Sequence, residues 1–362
     1  MATLILEDST VMHGRSFGAQ GDVFGEIVFN TSMAGYQEII SDPSYANQII
    51  VMTYPEIGNY GINNDDFESL NPALKAFVVK EYCKNESHYK SEKTLGEYLK
   101  EKNVVGIEGT DTRTLTKKIR EAGTMNCFVT SRDLSEDEIK QKIEETKNYK
   151  PDPDVVFSVT TKEAYTKGEG NPIKLAFIDY GAKYGIVKSL VKRGCEVKVY
   201  PANVNAQSIL EGDFDAVFLS NGPGDPKDCI SEIETIKNLT GKLPIFGICL
   251  GYQLLAIVSG AKTYKLKYGH RGGNHPVINL ETNKVMMSSQ NHGYAVDIES
   301  LSELMTPTYK NLNDNTLEGF KIDSLKIHAV QFHPEAAPGP DDAAVIFDEW
   351  IELMKKYQKV RA

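Results

Sequence analysis

Gly247-Ile248-Cys249-Leu250-Gly251 sets a thiol between two glycines, after the apolar run Pro244 to Ile248 and before the helical run Tyr252 to Val258. A strand that turns sharply into a helix projects the residue at the bend from the carboxyl edge of a sheet, and small residues two positions away let the backbones approach. The unpaired N–H groups and positive dipole end of the helix favour thiolate over thiol at that position. A cysteine is more often a small buried hydrophobe. That reading holds for Cys83, Cys127, Cys195 and Cys229, which lack the glycine frame; the frame makes Cys249 the candidate nucleophile.

A thiolate that cleaves an amide needs a base able to protonate the leaving group, and a third residue to orient that base. Gln331-Phe332-His333-Pro334-Glu335 offers both, just after the strand-like segment Leu325 to Val330. Side chains two apart on an extended chain point to the same side, so His333 and Glu335 can interact. The loop Ser220-Asn221-Gly222-Pro223-Gly224-Asp225-Pro226 follows another buried strand. Taken alone it is an ordinary Gly/Pro turn. At a strand end in an open α/β sheet it faces the ligand crevice, where its N–H groups can join that of Leu250 in holding an oxyanion. Gln253 lies one helical turn beyond Cys249 on the same face and can bind a polar substrate. Gln290-Asn291-His292-Gly293-Tyr294 adds further polar groups before another strand. His13, His88, His270, His275, His292 and His328 read as structural or surface residues.

These residues require strands and helices in alternation. From Lys174 onward, Leu175–Asp179, Glu196–Pro201, Ala216–Ser220 and Pro244–Ile248 are short β-branched or apolar runs separated by amphipathic helices, the first carrying Ile186, Val187, Leu190 and Val191. That spacing predicts an α/β domain with a mostly parallel sheet flanked by helices. The last helix, 341–357, has Ile346, Trp350, Leu353, Met354 and Tyr357 on one stripe and should pack back on the sheet. The first half reads as a mixed α+β domain: strands at Thr3–Leu6 and Gly25–Phe29, helices at Glu92–Lys102 and Thr112–Arg120. A capped surface helix over Leu134–Tyr149 opens on the Ser135/Glu138 box. Pro151, Pro153 and the turn-forming stretch Lys167 to Pro172 then mark a linker. The expected organisation is one domain over 1–150, a linker over 151–172 and a second domain over 173–362.

The 362 residues, with 41% hydrophobic, suffice for two cores at roughly 150 residues per domain. Forty Lys and Arg against fifty Asp and Glu give a net charge of −10, which disfavours nucleic acid and anionic membranes as partners. The longest apolar stretch, Ile245 to Val258, is broken by glycines and falls short of the ~18 residues that span a bilayer. The N-terminal segment has no basic start followed by a long apolar run, so a cytoplasmic address is expected. Five scattered cysteines without a CxxC pair argue for free thiols and against a zinc site. The sequons at Asn30, Asn85 and Asn238 then carry no weight. Neither a Walker-type phosphate loop, nor a GxGxxG turn, nor an HExxH helix is present, which leaves no metal or nucleotide site to name.

The motifs NGPGDP, GICLGYQLLA and QFHPEA, in that order, resemble the class I, triad-type glutamine amidotransferases, whose fold is flavodoxin-like. Gly25 to Glu38 (GEIVFNTSMAGYQE), Asp42-Pro43-Ser44-Tyr45, Thr53 to Gly61 (TYPEIGNYG) and Lys267 to Pro276 (KYGHRGGNHP) are similar to the small subunit of carbamoyl-phosphate synthetase, nearly end to end. Two positions depart from the family pattern: Tyr252 stands where His is frequent and Tyr294 where Phe is common. The resemblance implies a Cys249–His333–Glu335 triad that hydrolyses L-glutamine through a γ-glutamyl thioester. It implies glutamine or oxyanion contacts from Ser44, Gly222, Gly224, Leu250, Gln253, Asn291, Gly293 and Tyr294. Ammonia would pass to a large subunit in a heterodimer, where ATP, a divalent metal and bicarbonate serve carbamoyl phosphate synthesis for pyrimidines and arginine, with no cofactor in this chain. The competing expectations are the glutaminase component of another amidotransferase, such as anthranilate or GMP synthesis, and a non-catalytic regulatory scaffold. The N-terminal segment separates the first, and the retained Cys249, His333 and Glu335 speak against the second.

Overall fold

The computed structural model describes residues 1–358 and comprises two compact units, one of Met1–Asp152 with Lys267–Arg271, the other of Pro153–Leu266 with the chain from Gly272 onward.

In the first unit seven strands close into a barrel, in the order Ala2–Leu6, Val11–Ser16, Val105–Glu108, Ala76–Val78, Gln48–Met52, Asp22–Asn30 and Met125–Thr130. Side chains alternate across strand Gln48–Met52, as the pleat demands. Ile49 and Val51 join a cluster with Leu115 and Ile119 of helix Thr112–Ala122, whereas Ile50 and Met52 join Leu95 and Leu99 of helix Leu95–Glu101. The latter helix starts three residues later than Glu92, because Thr94 is its N-cap and accepts the Glu97 N–H while Glu97 returns a bond to the Thr94 N–H. The Ser135/Glu138 box caps helix Glu136–Asn148 in the same way. Lys267–Arg271, within the range expected for the second domain, belongs here: the Thr124 N–H donates to the Lys267 carbonyl at 2.8 Å, and Tyr268 packs on Phe29.

The second unit is built on strands β1 (Ile173–Asp179), β2 (Cys195–Pro201), β3 (Ala216–Leu219), β4 (Ile245–Ile248) and β5 (Ile327–Val330). They pair in parallel in the order 2-1-3-4-5, a doubly wound order whose crevice lies outside the carboxyl ends of the strands. Residues alternate between faces: Leu175 and Phe177 of β1 join one cluster, Ala176 and Ile178 the other. Helix α1 (Tyr184–Lys192) buries Ile186 and Leu190 in the first cluster, as does α3 (Val345–Tyr357) with Ile346, Trp350 and Met354. Helix α2 (Leu250–Val258) buries Leu254 and Leu255 in the second.

The sheet is mixed rather than mostly parallel. Beyond β5 it continues through Leu317–Ile322, Val285–Val296, Thr263–Asn279 and Thr306–Asn311, with antiparallel pairings of Leu317–Ile322 to β5, to Val285–Val296 and to Thr306–Asn311. Those strands carry many polar residues and lack the apolar runs that advertise a doubly buried strand. The expected linker also holds structure. Helix Val155–Val159 buries Val155 and Val156, and strand Tyr165–Lys167 pairs antiparallel with β2 at the sheet edge. Proline and glycine there bound short elements instead of separating domains.

Phe246 sits fully buried on β4 with its ring centroid 5.4 Å from that of Trp350, the chain's one tryptophan. Phe246→Ala is expected to cost about 3–5 kcal/mol, read as a lower denaturant midpoint of the tryptophan fluorescence transition; an unmoved midpoint would show that this contact does not support the unit.

Candidate active site

At the junction of β4 and α2, Cys249 has φ 53° and ψ −104°, a backbone conformation that L-residues rarely occupy and that surrounding structure must enforce. Three features enforce it. The Cys249 N–H is tied to the Val330 carbonyl of β5 at 2.9 Å. A Cβ on Gly251 would stand 2.5 Å from the Leu219 carbonyl oxygen, and one on Gly247 would stand 2.9 Å from the Gly251 carbonyl carbon. Glycine at both positions therefore lets α2 start directly against β3 and β4. The Leu250 N–H, first in the helix, and the Gly222 N–H donate to no backbone carbonyl among the described residues. Gly222 is needed where it stands, since a Cβ there would meet the Tyr180 carbonyl oxygen at 2.4 Å.

The chain leaves β5 and forms a bridge between His333 and Ser289, with the His333 N–H on the Ser289 carbonyl at 2.9 Å. His333 Nδ1 lies 2.6 Å from Glu335 Oε1, both side chains being buried. Its other nitrogen, Nε2, is buried without a hydrogen bond of good geometry, and Cys249 is near enough to act on the ring. Burial opposes a proton on His333, yet the Glu335 carboxylate and the Cys249 thiol outweigh it and raise the proton affinity of the imidazole. Glu335 is buried too, which by itself disfavours its charge; Lys183 and His333 override this and hold the carboxyl below its ordinary range. The arrangement matches a base whose tautomer and orientation are set by a carboxylate.

Lys183 was not singled out in the sequence. It caps α1 at the carboxyl end of β1, is 2% exposed, and places Nζ 2.9 Å from Glu335 Oε1. The same ammonium donates to the Ala336 carbonyl, in a turn where Ala336 and Ala337 both have positive φ. Its backbone N–H bonds the Asn221 side chain, which also reaches the Gly181 carbonyl. The loop after β3 is thereby braced to the start of α1. The only sequence signal was position, a lysine just past a strand at the crevice edge.

Of the other expected residues, the structure gathers Gln253, Asn291 and Tyr294 along α2. The Cys249 thiol points to the Asn291 carbonyl at 3.7 Å, and Gln253 Nε2 donates to the Tyr294 carbonyl at 2.9 Å. Gly293 lies between them in strand Val285–Val296, so this segment forms part of a strand instead of preceding one. Gly224 follows Gly222 with φ 95°, next to Val155. Ser44 belongs to the first unit, buried in the short turn Pro43–Tyr45 with its N–H on Asp42. Tyr252 faces away from the thiol: it is fully buried, its hydroxyl donating to the Leu317 carbonyl and its ring packed on Phe320. The residue that departs from the family pattern thus serves the core. Burial pushes the thiols of Cys195 and Cys229 up to about 12, as expected of inert packing cysteines. His328 is buried against Phe246, and desolvation drops it to about 4.

Residues 4–129 match the family model for the carbamoyl-phosphate synthase small chain, CPSase domain, and residues 176–353 match that for class-I glutamine amidotransferase. The chain is 49% identical to the carbamoyl phosphate synthase small chain of Clostridium acetobutylicum over 97% of this chain and 99% of that one. It belongs to the carbamoyl phosphate synthase small chain family. The small chain of Fusobacterium nucleatum is 50% identical over 98% and 99% of the two chains, and the pyrimidine-specific small chain of Bacillus subtilis 48% over 98% and 96%. The matched first half distinguishes this small chain from amidotransferases that share only the second. Among the described residues no helix is long and apolar enough to cross a membrane.

The close approach at the elbow carries a direct expectation. Gly251→Ala should cost about 1–3 kcal/mol through overpacking, lowering the thermal midpoint, and should change the rate at which iodoacetamide alkylates Cys249; equal stability and alkylation would mean that the glycine frame does not set the thiol.

Proposed function

We propose that this small chain is the glutaminase subunit of carbamoyl phosphate synthase, with Cys249 as nucleophile, His333 as acid and base, and Glu335 as the residue that orients His333. The observation that carries the reading is the strained Cys249 at the start of α2, set against the buried His333–Glu335 pair. The Cys249 sulfur attacks the side-chain carboxamide carbon of L-glutamine. The N–H groups of Leu250 and Gly222 are the candidate donors to the oxyanion, because they donate to no backbone carbonyl among the described residues and lie at the ends of β4 and β3. His333 gives its proton to the departing nitrogen and ammonia leaves, with the γ-glutamyl group held as a thioester. Water then attacks the thioester, losing a proton to His333, and the thiolate departs from glutamate. Two moderate barriers replace the single high barrier of amide hydrolysis. Gln253, Asn291, Gly293, Tyr294 and Gly224 are the proposed glutamine-binding set from this unit. Ammonia is delivered in the cytoplasm to a large subunit, which carries the ATP, metal and bicarbonate chemistry.

In the assembled complex, Cys249→Ser is expected to abolish glutamine-dependent carbamoyl phosphate synthesis while ammonia-dependent synthesis continues; retained glutamine-dependent synthesis would remove Cys249 from the reaction. A second expectation concerns pH. Lys183 holds the buried Glu335 charged and moderates the proton affinity of His333. Without this cation both groups bind protons more tightly, so in Lys183→Met the acidic limb of kcat/KM for glutamine should move to higher pH. A limb that stays in place would show that the charge is not felt by the triad.

A further inference from the structure

Asp179, the last residue of β1, has no part in the proposed reaction, yet its side chain is buried and bonded entirely to backbone. Oδ1 accepts the Gly181 N–H at 2.8 Å and the Ala182 N–H at 2.7 Å, and Oδ2 accepts the Thr161 N–H at 2.7 Å. The two oxygens thus serve different segments. Oδ1 shapes the turn that ends at Lys183. Gly181 takes φ 119° in that turn, its carbonyl accepts from the Asn221 side chain at 3.0 Å, and the Tyr180 carbonyl lies where a Cβ on Gly222 would stand 2.4 Å away. Oδ2 fastens the segment by which the chain enters the second unit. The Asp179 carbonyl accepts the Thr160 hydroxyl, whose oxygen accepts the Ala202 N–H at 2.9 Å. Helix Val155–Val159, just before these threonines, places Val155 Cγ1 2.9 Å from where a Cβ on Gly224 would be. The residues expected to be a linker are therefore tied to the carboxyl ends of β1 and β2 and pressed on the loop after β3.

We infer that Asp179 is a positioning residue of the glutaminase site: Oδ1 sets the turn that presents Lys183 to Glu335 and backs Gly222, while Oδ2 anchors the entering segment behind it. The inference rests on the glutaminase reading and deepens it. Charge and geometry make opposite demands here. The titratable groups acting on the Glu335–His333 pair are Lys183 and Cys249. Removing an anion near this cluster would by itself weaken proton binding to it and move the acidic limb of kcat/KM to lower pH. Letting Lys183 drift from Glu335 strengthens proton binding and moves the limb to higher pH. The sign of the movement therefore separates the two causes, and a purely structural loss moves the limb in neither direction.

The test uses the assembled complex and L-glutamine, with rates normalised to ammonia-dependent synthesis. Asp179→Ala deletes all three acceptors; kcat/KM for glutamine should fall on the order of 10–100-fold, and its acidic limb should rise by about one pH unit. Asp179→Asn removes the same charge but keeps one acceptor oxygen for Gly181 and Ala182, turning its NH2 towards Thr161, so it should lose less and leave the limb unraised. In a Lys183→Met background Asp179→Ala should raise the limb no further. A limb that stays or falls in Asp179→Ala, that rises equally in Asp179→Asn, or that rises additively with Lys183→Met would overturn the inference. Should Asp179→Ala not fold, Asp179→Glu decides, since it keeps the charge and displaces the acceptors by one methylene: a raised limb supports the assignment and an unmoved one overturns it. Wild-type complex that fails to hydrolyse glutamine would instead sink the underlying glutaminase reading.

Discussion

The positive φ at Cys249 is the constraint around which the second unit is arranged. Such a conformation costs on the order of 1–3 kcal/mol and survives only where neighbours over-determine it. Here the neighbours are the Val330 carbonyl on one side and two glycines that admit backbone atoms to within a Cβ's distance on the other. Relaxing the bend would pull Cys249 from β5, and β5 also delivers His333. The strain therefore does more than aim a thiol: the hydrogen bond that sustains it ties the strand that ends at Cys249 to the strand that leads to His333.

Electrostatics complete the arrangement. Lys183, Glu335 and His333 are almost wholly out of water, where an unpaired charge is expensive and breaking a buried pair typically costs about 3–5 kcal/mol. In the proposed reaction, with lysine and glutamate paired, a proton moving from Cys249 to His333 would create a thiolate and an imidazolium, so the four groups would sum to zero charge. The transfer is thus a rearrangement inside a neutral cluster, needing no counter-ion from solvent. Lys183 contributes twice, neutralising Glu335 and fastening the Ala336 carbonyl in a turn of positive φ. The same cation that sets the charge balance also fixes the backbone carrying Glu335.

Local chemistry was legible in the sequence and long-range assembly was not. The elbow declares itself because its glycines and its cysteine are neighbours, and His333 and Glu335 because an extended chain sets residues two apart on one side. The five parallel strands were readable from their apolar runs, and α3 from its stripe. Lys183 was invisible, since β1 and β5 are not neighbours in the 2-1-3-4-5 order and only the folded loops at the carboxyl ends let its side chain reach the turn after β5. Strands Thr263–Asn279 and Val285–Val296 were hidden by polar residues that line buried hydrogen-bond networks, such as Gln290 and His292. Strand Tyr165–Lys167 was masked by the turn-forming residues that follow it.

In the proposed function, that hidden antiparallel half is what turns a lone thiol into a binding site. The parallel strands supply groups from their carboxyl ends: Gly222 beyond β3, Cys249 beyond β4, His333 beyond β5. The wall beside α2 comes from Val285–Val296, where the Asn291 and Tyr294 carbonyls face Cys249 and Gln253. This strand lies inside the sheet, so its carbonyls are held in register, and its Ser289 bridges His333. Extending the sheet past β5 therefore lets one continuous hydrogen-bonded surface hold both His333 and the wall beside α2, so that moving either would require breaking the other's pairing.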